Sequence, residues 1–105
     1  MDETHATTLY GTIVEEEVHF TLVDLSRACK VDADRLIGLV EEGVLEPEGG
    51  APGAWRFSGA SLHRARTALR LGRDFELNAT GTALVLDLLD EIASLKARLH
   101  RHGSR

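Results

Sequence analysis

Five apolar residues toward the C-terminal end, Val85, Leu88, Ile92, Leu95 and Leu99, recur at intervals of 3, 4, 3 and 4. That is the repeat of a helix presenting a single apolar seam. Asn78 stands where such a helix needs an N-cap. A helix running from there to about His100 is roughly 33 Å long at 1.5 Å per residue. In a chain of 105 residues this exceeds what one small domain covers, so the seam predicts a homodimer. Leu84 and Leu89 widen one side of the seam, and this end of the helix is expected to pack on its own domain as well.

The segments before the seam carry local signals of their own. From Leu9 to Phe20, β-formers flank the run Glu15-Glu16-Glu17 and predict a short strand or two around a charged turn. Thr21 with Asp24 three residues on has the form of an N-cap pair, and Leu22, Leu25 and Ala28 follow at helical spacing, giving a helix over 22–29. After a short turn at Lys30-Val31, Asp32 caps a second helix over 33–42 with the stripe Leu36, Leu39 and Val40. Gly43 sits where a terminating glycine belongs. Two short helices joined this way make a helix-turn-helix.

Val44 to Pro47 then reads as extended chain, Glu48 to Gly53 as turn, and Trp55-Arg56-Phe57 as a returning strand, together a β-hairpin wing. Trp55 and Phe57, two apart on that strand, are expected to close the core from one face. Ser58 caps a third helix carrying Leu62, Ala65, Ala68 and Leu69, which Gly72 ends or kinks. The expected division is an N-terminal extension (1–17), a winged helix-turn-helix domain (18–76), and the seam helix with its tail (77–105). The fold class is mainly α.

Charge and chemistry narrow the function. Residues 1–48 hold 12 acidic and 3 basic side chains, whereas 49–105 hold 5 acidic and 9 basic. The acidic half is a poor candidate for contact with nucleic acid. The polar, acidic start and the lack of a long apolar run predict a soluble cytoplasmic protein that neither enters a membrane nor carries a secretory signal. The single Cys29 fits a reducing compartment and reads as packing rather than as a nucleophile, since no base is assured beside it. His5, His100 and His102 lie at the chain ends, a poor frame for a metal. Asp87, Asp90 and Glu91 lie on an exposed helix face with no pocket to shift a proton affinity. No enzyme motif is present, and no cofactor is expected.

The order helix, turn, helix, wing, third helix, seam helix resembles the MerR family of winged DNA-binding regulators. The resemblance rests on Phe20-Thr21-Leu22 with Leu25, Ser26 and Ala28, then Leu36, Gly43-Val44-Leu45 and Pro47. In those regulators the equivalents of residues 37–39 are typically Arg-Tyr-Tyr and grip phosphate; here they are Ile37-Gly38-Leu39, followed by Glu41 and Glu42. DNA affinity comes largely from phosphates neutralised by Lys and Arg, and the second helix offers only Arg35. Arg66, Arg70 and Arg73 form an i, i+4, i+7 stripe on the third helix that reads either as a phosphate contact or, preferably, as a solvated face.

A closer resemblance absorbs these departures. Leu39-Val40-Glu41-Glu42-Gly43-Val44-Leu45-Glu46-Pro47, Trp55-Arg56-Phe57, and the block from Leu86 to Leu95 are similar to the CbpM family of chaperone modulators. The similarity covers about residues 18–100. The extension over 1–17 and an earlier end to the last helix depart from the pattern. The resemblance implies binding to the J-domain of a DnaJ/CbpA-type co-chaperone and blockage of its stimulation of the DnaK chaperone. J-domains present a basic helix to that chaperone, so a competitor should be acidic. Two acidic patches are candidates for partner binding: Asp87, Asp90 and Glu91 beside the seam, and Asp34, Glu41 and Glu42 on the second helix. The alternative is a MerR-like DNA-binding transcriptional regulator using the wing and the arginine stripe. A small-molecule sensor without a reaction stays open as a third class.

Overall fold

The computed structural model describes residues 19–103. The expected disordered start, the strand reading before His19 and the metal pairing through His5 lie outside them. Among the described residues the chain forms β1 (His19–Phe20), α1 (Leu22–Cys29), α2 (Ala33–Glu41), a 3-10 turn (Pro52–Ala54), β2 (Phe57–Ser58), α3 (Gly59–Phe75) and α4 (Ala79–Gly103). This is the mainly α winged helix-turn-helix with a long C-terminal helix that the sequence predicts.

Capping sets the helix boundaries. The Thr21 hydroxyl accepts the Asp24 N–H at 3.0 Å while the Asp24 carboxylate accepts the Thr21 N–H at 3.0 Å, a reciprocal box that satisfies two otherwise unpaired donors. Lys30, with φ 60°, turns the chain out of α1 in a left-handed conformation, and the Ser26 hydroxyl donates to the Val31 carbonyl across that turn. Asp32 occupies the N-cap position of α2, but its side chain makes no capping bond, contrary to expectation. Ser58 caps α3 by accepting the Ser61 N–H at 3.1 Å, and Asn78 caps α4 by accepting the Gly81 N–H at 2.7 Å.

Leu25, Leu36, Leu39, Val44, Leu45, Phe57, Ala65, Ala68, Leu69 and Leu86 make one core. Phe57 and Trp55 both reach it, Phe57 fully buried and Trp55 partly, with their rings edge-to-face at 6.0 Å. Cys29 rather than Ala28 continues the inward stripe of α1, four residues after Leu25. Burial pushes the Cys29 thiol up, against a smaller opposing effect of Arg66, so it is a packing group and not an activated nucleophile.

The wing differs from a simple hairpin. Its two arms meet only through Glu48 and Arg56, which exchange backbone bonds of 3.0 and 2.8 Å. The return strand pairs instead with the segment ahead of α1, Phe20 opposite Phe57 and His19 opposite Ser58, antiparallel. Val44 and Leu45 are pulled into the core, so the outgoing arm has little free edge to offer. Gly49 holds φ 111°, and a Cβ there would meet the Ala54 carbonyl oxygen at 2.4 Å, so this turn requires glycine.

Gly72 does not end α3, which continues to Phe75. Its role is close approach, because a Cβ would lie 3.3 Å from the Leu77 carbonyl oxygen and 3.5 Å from the Thr82 hydroxyl. The reversal comes afterward, where Glu76 adopts φ 56° and Leu77 donates to the Gly72 carbonyl at 2.9 Å. The packing of α4 on its own domain also differs from expectation. Ala79, Thr82, Ala83 and Leu86 face the core, whereas Leu84 and Leu89 point to solvent. Thr82 and Leu86 are buried four residues apart, leaving the wider apolar stripe on the far side of the helix.

Candidate partner-binding surface

The far side of α4 carries six of the eight large apolar residues that are exposed among the described residues. Leu84, Leu88, Leu89, Ile92, Leu95 and Leu99 are each 45% to 69% exposed, and Val85 is half-buried. Surface leucines scattered singly need no explanation, but this row is contiguous along one helix and calls for a partner. It contains the whole heptad seam: Val85 at a, Leu88 at d, Ile92 at a, Leu95 at d and Leu99 at a. Near its end, Leu95, Arg98, Leu99 and His102 line a shallow, open depression.

The acidic residues divide in a way their sequence positions do not show. Asp87 and Glu91 are exposed on α4 beside the stripe. Asp90, one residue from Glu91, is on a different flank: its carboxylate meets the Arg64 guanidinium of α3 at 3.3 Å. Arg64 also donates from Nε to the carbonyl of buried Val44 at 2.8 Å, so this pair ties α4 to α3 and the start of the wing. The three residues Asp87, Asp90 and Glu91 are therefore not one free cluster.

On α2, Asp34 and Glu41 are exposed. Glu42, just past the helix end, accepts a hydrogen bond from the Thr80 hydroxyl of α4 at 3.0 Å. The backbones approach closely at the same place, since a Cβ on Gly38 would sit 3.8 Å from that of Ala79. The acidic end of α2 thus abuts the first turn of α4. Thr80 carries no charge and fits no motif, so only the tertiary packing reveals this junction. The tertiary roles of Arg64 and Leu86 likewise depend on packing between helices. The inward row Ala79, Thr82, Ala83 and Leu86 contains one large apolar residue and is overshadowed by the leucines opposite.

The exposed side chains of α2 and its C-terminal end are mainly acidic where a groove-reading helix needs cations, with Arg35 against Asp34, Glu41 and Glu42. Arg66, Arg70 and Arg73 are exposed on α3, and Arg73 lies 3.5 Å from its neighbour Asp74. Among the described residues no three His, Cys, Asp or Glu side chains gather as a metal site. No helix among them is long and apolar enough to cross a membrane.

Comparison with known proteins agrees with this architecture. The model of the MerR HTH family of regulatory proteins matches residues 20–102. The chaperone modulatory protein CbpM of Coxiella burnetii (strain Dugway 5J108-111) is 39% identical over 89 residues, covering 85% of this chain and 84% of that protein. The chaperone modulatory protein CbpM of Pseudomonas putida (strain W619) is 34% identical over 80 residues, covering 76% and 79%. With a helix-turn-helix that lacks a cationic reading face and relatives of this kind over most of its length, the chain belongs to the CbpM family of chaperone modulatory proteins, within the MerR helix-turn-helix group.

Proposed function

We propose that this protein is a non-enzymatic modulator that binds the J-domain of a DnaJ/CbpA-type co-chaperone and blocks its stimulation of a DnaK-type chaperone. It acts in the cytoplasm as a homodimer joined along Val85, Leu88, Ile92, Leu95 and Leu99. The observation carrying the reading is the acidic surface of α2 and its C-terminal end, where exposed Asp34 and Glu41, with Glu42 turned toward α4, stand in place of the cations a DNA reader needs. Such a face suits a basic protein surface, and complementary charge there mainly accelerates encounter and selects the partner. The exposed apolar stripe of α4 supports the dimer.

Calorimetric titration of the protein with the J-domain of the same organism's co-chaperone, with duplex DNA titrated in parallel at low salt, tests the reading. Saturable heat with the J-domain and none with DNA is the expected result. The second reading, a DNA-binding regulator, is favoured by one observation, the exposed stripe Arg66, Arg70 and Arg73. It predicts the reverse pattern, with affinity falling steeply as salt rises.

A further inference from the structure

The Thr80–Glu42 contact changes what the acidic residues can do together. On the heptad frame of α4, Thr80 and Asp87 both fall at c, one repeat apart, and Leu84 and Glu91 both fall at g. Thr80 and Asp87 are thus about 10.5 Å apart along the helix axis, on the same flank. Because Glu42 is bonded to Thr80, its carboxylate lies one turn before Leu84 on this flank, Asp87 lies one turn after Leu84, and Glu91 follows a turn further on. Leu84 is 59% exposed and lies outside the a and d positions of the seam. The acidic end of α2 and the acidic flank of α4 are one surface, with a leucine in the middle and the seam along one border.

We infer that Leu84 is the apolar anchor of the partner site, and that Glu42, Asp87 and Glu91 along the same flank receive the basic face of one amphipathic helix of the bound protein. This inference rests on the J-domain reading given above, and it names the part of the chain that makes the contact. A helix with one apolar side chain seated on Leu84 and Lys or Arg one turn to either side meets Glu42 and Asp87, and a further basic residue one turn on meets Glu91. A second copy of this chain is the occupant of the a and d seam in the reading above, and Leu84 at g lies outside those positions. Asp90 takes no part, being held by Arg64. The site borders the dimer seam but does not use its core positions, so a dimer can carry two partners.

The test is titration of the full chain and three variants, Leu84→Ala, Glu42→Gln and Val23→Ala, with the co-chaperone J-domain, while light scattering follows the mass of each variant. Leu84 and Val23 are both exposed, so neither change threatens the fold. Leu84→Ala is expected to weaken binding by about ten-fold or more with the mass unchanged. Glu42→Gln should weaken it less and reduce its salt dependence, and Val23→Ala, on α1, should leave J-domain affinity at the wild-type value. Wild-type binding with Leu84→Ala equally tight overturns this inference and leaves the J-domain reading intact. Weakening that accompanies only a change in mass overturns it too, by reassigning Leu84 to the dimer. Silence of the wild-type protein toward the J-domain overturns the reading itself, and the inference with it.

Discussion

Arg64 and Asp90 close a 3.3 Å ion pair between α3 and α4, and the same guanidinium donates to the carbonyl of buried Val44. The two ends of this link are unequal. Asp90 is 62% exposed, so its share is a surface ion pair screened by water. The Val44 carbonyl belongs to a buried residue and loses its side-chain donor when Arg64 is cut.

Asp90→Ala is therefore expected to change stability by no more than about 0.5 kcal/mol, and Arg64→Ala to cost about 1–2 kcal/mol. Urea unfolding of the two variants beside the wild type measures both. Equal costs would show that the ion pair, and not the carbonyl bond, holds the helices together.

The capping box at the start of α1 predicts a pH dependence. The backbone bond from Thr21 to the Asp24 carboxylate, reinforced by the Thr21 side chain, holds its proton affinity below the ordinary carboxylate value of about 3.9. A carboxyl lowered on folding stabilises the protein above its unfolded value, and that contribution disappears as pH falls through the folded one. The stability difference between wild type and Asp24→Ala should be constant near neutrality and shrink below about pH 4. Chemical denaturation at pH 7 and pH 2.5 reads it, and a gap that persists in acid would argue against the box.

Phe57 is fully buried, with Trp55 against its ring and Phe20 opposite it in the strand pair. Phe57→Ala should cost about 3–5 kcal/mol. Much of the stability of a domain this size, about 5–15 kcal/mol, would be gone. Thermal unfolding followed by circular dichroism is the measurement, and a loss under about 1 kcal/mol would mean that the neighbouring side chains collapse into the space.

The seam is separable from the core in the same way. Ile92 is half exposed and absent from the buried cluster, so Ile92→Asp should leave the fold intact and convert a dimer to a monomer. Sedimentation or light scattering across a concentration series checks it. A wild-type mass equal to one chain at every concentration would contradict the dimer outright.

The elements that can be read from the sequence are those fixed by local chemistry. Thr21 with Asp24, Ser58, Asn78 and Gly43 each mark a helix boundary within their own turn, and the helices begin or end beside them. Features depending on distant partners are misread or missed. Gly72 looks like a helix terminator in isolation and is a contact point for the turn at Leu77 and for Thr82. Leu84 and Leu89 look like the residues that pack α4 on its domain, yet the smaller Ala79, Thr82 and Ala83 with Leu86 do so. Burial follows what the neighbouring helix can accommodate and not hydropathy alone. The candidate site divides similarly. Its acidic residues are visible one by one, but the separation of Asp90 from Glu91 and the junction of Glu42 with Thr80 exist only in the fold.

The proposed silencing of a J-domain has a kinetic readout. The most direct measurement is the ATPase rate of a DnaK-type chaperone stimulated by its DnaJ/CbpA-type co-chaperone, with this protein added in increasing amounts. Stimulation is expected to fall to the unstimulated rate as the protein reaches and exceeds the co-chaperone concentration, with the chaperone's own rate unaffected. A stimulated rate unchanged at saturating excess would contradict it.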